Sequence, residues 1–378
     1  MSKKKIIFVT STRADYGKLK SIILEIQKNL NITSKVFVTG MHNMDLYGKT
    51  VGEIKKDKIK NLFIYKNQGL SSSMSKILIN TIRGFSNYLE KEKPDLVVLH
   101  GDRVEPLGCA ISSLLSNVKI VHVEGGEVSG TVDEMIRHAI SKLSHIHFVS
   151  NKLAKNRLLQ MGEDKKSIFV VGSPDVDLIL SKNLPSIEEV KKRYGIKYDK
   201  FSISILHPVT TNIENIKSET EAYFDALQKS KNNYVITYPN NDLGSEYILN
   251  QINKLKKKKN FKVIPSLRFE FFLTLLKNSS YIIGNSSCGL MEAPYYGVPT
   301  INIGNRQKNR LESKSLINVS FNKKKIIQAI NSVNKKKVSK SKFFGKGNSS
   351  IKIQKLIDSK KIWNIKLQKS FIDLVKLK

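Results

Sequence analysis

The sequence predicts an α/β protein of two doubly wound domains, each a parallel sheet wrapped by helices. Two observations carry this. Short Val/Ile/Phe-rich runs alternate with helical stretches through residues 1–178, and after a polar break at Ser181–Ser186 the same rhythm restarts. Several runs are apolar almost throughout, as strands buried on both faces should be.

In the first domain, residues 1–180, strands are expected at Lys5–Thr10, Lys35–Thr39, Asn61–Tyr65, Asp95–His100, Lys119–Val123, Ile146–Val149 and Ile168–Val171. Helix candidates between them include Met74–Leu89, Glu105–Leu115 and Val132–Leu143. The second domain, 186–350, places strands at Ser202–Leu206, Tyr234–Thr237, Lys262–Ile264, Tyr281–Ile283 and Thr300–Ile303. The tail, 351–378, carries Trp363, Leu367, Phe371, Leu374 and Val375 at helical spacing. That spacing predicts one amphipathic helix over Ile362–Leu377, packing back on a domain. Open α/β sheets bind ligands at the carboxyl ends of their strands, so a cleft between two such domains is the expected site.

Composition narrows the function. Among 378 residues, 65 Lys plus Arg face 32 Asp plus Glu, a formal net charge of +33, and 40% are apolar. No run approaches the roughly 18 apolar residues of a membrane span. The N-terminus, Met1–Lys5 into Ile6–Val9, is too short and wrongly flanked for a signal peptide. Cys109 and Cys288 form no CxxC pair or disulfide framework, so a cytoplasmic location is expected. Secreted, membrane-embedded and zinc-ribbon proteins are excluded. Only nine of the basic residues are Arg, and the lysines come in plain runs such as Lys256–Lys259. A nucleic-acid binder would favour Arg and interleaved aromatics. A solvated lysine surface with a general attraction to anions is the simpler reading, and no specific nucleic-acid partner is expected.

Five segments carry candidate chemistry. Thr10–Lys18 follows the first strand, where a dinucleotide fold would place GxGxxG; its absence argues against an NAD-dependent route. Its hydroxyls and Arg13 suit a phosphate at a helix N-terminus, or equally an N-capped turn with a surface Arg. The strand ending at His100 delivers Asp102 and Arg103, either a carboxylate beside a phosphate-binding cation or a structural loop ion pair.

The third segment, Val121–Gly130 with the helix after it, is the densest. Glu124, Glu127, Asp133, Glu134, Arg137 and His138 fall within 15 residues beside a strand end, as acid/base work requires. The helix shows Val132, Met135, Ile136, Ala139, Ile140 and Leu143 on its apolar face. Its other face pairs Asp133 with Arg137 and Glu134 with His138 at i,i+4. His145 and His147 alternate along a strand, but no third ligand accompanies them and no metal site is expected. Fourth, His207 ends the first strand of the second domain. Fifth, Gly284–Glu292 is a strand end feeding a Gly/Ser turn into a helix. Helix N-terminal amides with Ser286 and Ser287 suit a diphosphate, and Glu292 suits ribose hydroxyls; a serine-capped helix is the alternative. These residues point to an enzyme needing neither metal nor NAD and acting on a nucleotide-linked substrate.

The motifs TSTRADYGK, TGMHNMDLYGKT, HGDRVEP, HVEGGEVSGTVDEMIRHAISKLSHIH, HPVTTN, YPNND and IGNSSCGLMEAPYYGVPTINIGNRQ, in this order, strongly resemble the hydrolysing UDP-N-acetylglucosamine 2-epimerases of bacterial sialic-acid synthesis. The similarity covers about residues 4–320, and GGEVSGT and GNSS are its most specific blocks. Ser11 stands where the family often has Gly, Glu134 where a second Asp is common, and the lysine-rich end is weakly matched.

The resemblance implies a glycosyltransferase-B type fold, with UDP held mainly by the second domain and the sugar in the interdomain cleft. It implies conversion of UDP-GlcNAc and water to UDP and N-acetylmannosamine through a 2-acetamidoglucal, without cofactors. By position, Asp102, Glu124 and Asp133 are its catalytic carboxylates, and His207 assists departure of the diphosphate. Arg13, Arg103, Ser286, Ser287, Glu292 and Arg306 hold UDP, with Arg137 and Gly289 also counted among the substrate-binding residues. A homodimer or homotetramer is implied. The nearest alternative is the same reaction on UDP-N,N′-diacetylbacillosamine; a basic nucleic-acid-binding protein is the alternative from another class.

Overall fold

The structure, a computed structural model, describes residues 3–69, 72–129, 131–308, 315–333 and 338–374. The chain divides into two compact units. One comprises Met1–Glu127, Asp133–Ser181 and Phe343–Lys378; the other comprises Val128–Val132 and Lys182–Lys342.

The first unit holds a seven-stranded sheet of β1 (Lys4–Thr10), β2 (Ile32–Val38), β3 (Leu62–Ile64), β4 (Leu96–His100), β5 (Lys119–Val123), β6 (Ile146–Val149) and β7 (Ile168–Val170). Their order is β3-β2-β1-β4-β5-β6-β7, with every pairing parallel. Parallel strands need crossovers, and the helices supplying them bury both faces of the sheet. All five residues of β4 are buried, which is why it reads as an unbroken apolar run. The order reverses between β1 and β4, which places a ligand crevice at the carboxyl ends of these strands.

The second unit repeats the design with β8 (Ser202–Ile205), β9 (Tyr234–Thr237), β10 (Phe261–Ile264), β11 (Ile282–Gly284), β12 (Thr300–Ile303) and β13 (Leu316–Val319). The order is β10-β9-β8-β11-β12-β13, again parallel, with its switch between β8 and β11. Strand β13 was not among the expected strands: it lies at the sheet edge, and none of its residues is fully buried.

Two expectations for the C-terminal end are corrected. The second unit stops at Lys342 rather than residue 350. From Phe343 the chain rejoins the first unit, where Ile353, Ile357 and Ile362 enter a core with Phe8, Leu19, Ile23 and Ile26. The helix Ser349–Asp358 starts with the backbone N–H groups of Ser349 and Ser350 on the Asp177 carboxylate, both at 2.8 Å. This helix packs back on the first unit, although the expected one lay further on, over 362–377. The amphipathic helix over 362–377 does not form: helix ends at Trp363, residues 364–374 have none, and Phe371 is 89% exposed. Helical spacing without a surface to cover does not make a helix. Val375 and Leu377 lie outside the described residues. Among those described, no helix is long and apolar enough to cross a membrane.

Candidate active site

At the end of β1 the turn into the helix Arg13–Ile26 is a closed cap. Thr12 and Asp15 form a capping box, and the Asp15 carboxylate accepts the backbone N–H groups of Ser11 and Thr12 and the Ser11 hydroxyl. Ser11 is fully buried, so this turn is the capped alternative. Arg13 is not the surface residue that alternative supposed; it is largely buried and its guanidinium meets the Glu53 carboxylate.

Strands β4 and β5 are paired neighbours, and their carboxyl ends bring the expected carboxylates to adjacent loops. Glu124 follows β5 with a left-handed backbone, φ +64°, an uncommon conformation for a side chain of this size. Its carboxylate is buried and receives three donors: Lys18 Nζ at 3.2 Å, His100 Nε2 at 3.0 Å and the Ser173 hydroxyl. Burial alone would raise its pKa, but the Lys18 charge and the His100 and Ser173 hydrogen bonds outweigh that and hold it well below the usual carboxylate range. Lys18 also binds Asp175 at 2.8 Å. Glu124 is thus kept as an anion by a buried polar cluster.

Asp102 follows β4 at the head of the loop that also carries Arg103. Its carboxylate meets the Arg137 guanidinium, while Arg103 Nε lies 3.4 Å from the fully buried Glu105. Arg137 is 1% exposed and also donates to the Glu127 carbonyl at 3.0 Å. The helix Val132–Leu143 is therefore rotated from the expected face. Ile136, Arg137, Ile140 and Ser141 are buried, and Met135 is 65% exposed. A charge faces inward because Asp102 neutralises it there, so Arg137 is not half of a surface pair. Asp133 stands in the first turn of this helix, partly exposed. Glu134 and His138 do pair, at 3.7 Å. Glu127 is taken up by Ser150 and by Asn151 Nδ2, the latter at 2.9 Å.

His122 of β5 ties these parts together. Its Nε2 lies 2.8 Å from the Gly101 carbonyl oxygen and its Nδ1 2.9 Å from the Ser141 hydroxyl. A carbonyl only accepts, so the proton is on Nε2 and Nδ1 accepts. His145 and His147 are structural: His145 Nδ1 accepts the Ile120 N–H, and His147 Nε2 bonds Glu163 at 2.9 Å.

In the second unit, Asn285 after β11 clasps the backbone after β8. Its Oδ1 accepts the His207 N–H at 2.7 Å and its Nδ2 donates to the His207 carbonyl at 2.8 Å. Arg306 Nη1 and Gln307 Nε2 donate to the Asn285 carbonyl at 3.2 and 3.0 Å. His207, Asn285 and Arg306 are thereby gathered at the switch point. His207 Nδ1 accepts the Asn240 N–H at 3.0 Å, which puts the neutral ring's proton on Nε2, a donor suited to a phosphate oxygen. Ser287 is the N-cap of the short helix Cys288–Met291 but makes no side-chain cap bond, so the serine-capped alternative does not hold. The partly exposed Ser286 hydroxyl accepts from the Cys288 thiol at 3.1 Å. Burial first, and then the nearby Glu292 carboxylate, push that thiol up to about 12. Gly289 has a packing reason, because a side chain there would strike Thr300. Glu292 is buried one residue past this helix.

A family model described as UDP-N-acetylglucosamine 2-epimerase matches residues 24–358. The chain belongs to the UDP-N-acetylglucosamine 2-epimerase family. It is 44% identical over 98% of its length, and 99% of the relative's, to a protein of Neisseria meningitidis serogroup B named UDP-N-acetylglucosamine 2-epimerase. It is 37% identical to the UDP-N,N′-diacetylbacillosamine 2-epimerase (hydrolyzing) of Legionella pneumophila, covering 94% and 95% of the two chains. Among solved structures, the Methanocaldococcus jannaschii UDP-GlcNAc 2-epimerase in complex with UDP-GlcNAc and UDP matches with a TM-score of 0.80 and 26% identity, covering 94% and 99%. The two parallel-sheet units are thus the glycosyltransferase-B type fold of this epimerase family.

Several groups at the epimerase site carry no individual signal in the sequence. Lys18 ends the motif TSTRADYGK but is one lysine among 56, and Ser173 and Asp175 stand at an ordinary-looking turn into the helix Asp175–Ile179 after β7. His100 and Asn240 fall inside quoted motifs, which was the available signal.

Proposed function

We propose that this enzyme converts UDP-GlcNAc and water to UDP and N-acetylmannosamine. The observation that carries the reading is the Glu124 anion, buried among Lys18, His100 and Ser173, on the strand next to the one that delivers Asp102. The 37% identity, over 94% of this chain, to a relative whose name says hydrolyzing favours the hydrolysing outcome.

The substrate's C2–H adjoins no carbonyl and is not acidic, so its proton leaves only as the C1–O bond breaks. A carboxylate of the Asp102, Glu124 and Asp133 set takes the C2 proton, and the C1–O electron pair departs with UDP. The product of this anti elimination is 2-acetamidoglucal. Water then adds its oxygen to C1, and a proton is delivered to the opposite face of C2, giving the manno configuration. Both steps are general acid/base chemistry, for which positioned carboxylates suffice. His207 Nε2–H and the Arg13, Arg103 and Arg306 guanidiniums stabilise the charge that builds on the leaving diphosphate. Ser286, Ser287 and Glu292 hold the UDP portion. The homo-oligomeric state and cytoplasmic location expected from the resemblance belong to the same proposal.

Proton NMR in D2O with UDP-GlcNAc tests the proposal. The expected products are free UDP and N-acetylmannosamine carrying deuterium at C2. Accumulation of UDP-N-acetylmannosamine would reject hydrolysis. No turnover, with UDP still bound, would shift the substrate to UDP-N,N′-diacetylbacillosamine, the second reading that the Legionella relative favours.

A further inference from the structure

The helix Val132–Leu143 carries Asp133 and Arg137 in its first two turns, and its far end is met by a residue from the end of the chain. Lys369 lies in the stretch after Trp363. Its Nζ donates to the carbonyl oxygens of Lys142 and Ser144, both at 2.7 Å, and to Glu163 Oε2 at 2.7 Å. An ammonium has three protons, and these acceptors take all three. Glu163 is buried and also receives Lys142 Nζ at 2.9 Å and His147 Nε2 at 2.9 Å. Apolar burial explains only the start of this docking: Ile365 packs against the core of the first unit, but Leu367, Phe371 and Leu374 are all exposed.

We propose that Lys369 is a positioning residue for the reaction, capping the C-terminal end of this helix in trans and so fixing how Arg137 meets Asp102. The inference rests on the functional reading above. The last carbonyls of a helix lack partners within it, and a cation there satisfies them and complements the dipole. Lys142 lies about 7.5 Å along the axis from Arg137, little more than one turn, so play at the cap reaches the guanidinium. Through Glu163 the same ammonium is joined to His147 of β6.

The test uses the full-length protein with Lys369→Met, Lys369→Gln and Lys369→Arg. UDP release, UDP titration and amide hydrogen exchange are measured on each. In Lys369→Met, kcat should fall about ten-fold, KM and UDP affinity should stay within two-fold, and exchange over residues 137–146 should quicken. Lys369→Arg should restore most of kcat. If Lys369→Met does not fold, Lys369→Gln carries the same expectations. An unchanged kcat, a matching loss of UDP affinity, or an Arg variant no better than Met would overturn the inference. A wild-type enzyme inactive on both sugars overturns the functional reading instead. The exchange arm then decides the cap by itself: unchanged protection over 137–146 rejects it, and faster exchange supports it.

Discussion

The guanidinium of Arg137, buried in the first unit, rests on the carboxylate of Asp102, 35 residues earlier in the chain. Each needs the other. Burial works against the Arg137 charge, and the Asp102 carboxylate more than restores it, so its pKa is raised. Asp102→Asn is therefore expected to abolish turnover and to lower the melting temperature, because a buried cation loses its counter-charge. Its affinity for UDP should stay within about two-fold on titration. A mutant with near-normal turnover would remove Asp102 from the mechanism.

Glu124→Gln places an amide NH2 among three donors. Turnover should be lost while UDP titration curves barely move, since Glu124 is proposed to act on the protons of the sugar and not to hold UDP. Lys18→Met should also slow turnover, because the Glu124 anion loses its nearest cation. Retained activity in Glu124→Gln would reject the carboxylate's assignment.

Gly284 and Ser287, three residues apart, should behave oppositely. Gly284 has φ +135°, and a Cβ there would run into the Ile205 carbonyl oxygen across the sheet. Gly284→Ala should cost several kcal/mol, seen as an early transition in urea. Ser287→Ala should leave that transition in place and weaken UDP binding. An unchanged UDP titration would count against the second-unit site.

Three buried histidines make the fold acid-sensitive. Burial chiefly lowers His42 and His145 to about 4 and His122 to about 3, from an ordinary 6.5. The unfolded chain then binds protons that the folded state refuses, so stability is full above pH 6.5 and drains as pH falls toward 4. The steepest slope, near pH 5, should be about 4 kcal/mol per pH unit for the three together. Urea unfolding at pH 7.5, 6.0 and 5.0 measures it; equal midpoints at all three would show the rings to be protonated in the fold.

The fold was legible because buried parallel strands such as β4 are apolar on both faces, a pattern that survives in any short window. Strand β13 escaped because Leu316–Val319 is a half-exposed edge. The site was legible as motifs and not as geometry. Placing Arg137 inside requires Asp102, whose partnership no helical period reveals, and so Met135 was assigned to the wrong face. Lys18 lies inside the motif TSTRADYGK, but its burial is not legible there, since nothing local separates a buried amine from a solvated one. The last stretch misled in the opposite sense: its spacing is helical, but residues 364–374 form no helix and Lys369 ties them to the first unit.

Because Ile353, Ile357 and Ile362 complete the core of the first unit, a ribosome making this chain cannot release that unit early. All of Lys182–Lys342 must be synthesised first, on the order of 10–30 s at ordinary elongation rates. During that interval the part of the helix Arg13–Ile26 that Ile353 and Ile357 cover stays exposed, a natural landing place for chaperones. Nascent chains stalled before residue 343 should accordingly be held in chaperone complexes and cut readily by protease, and completion of the last segment should end both.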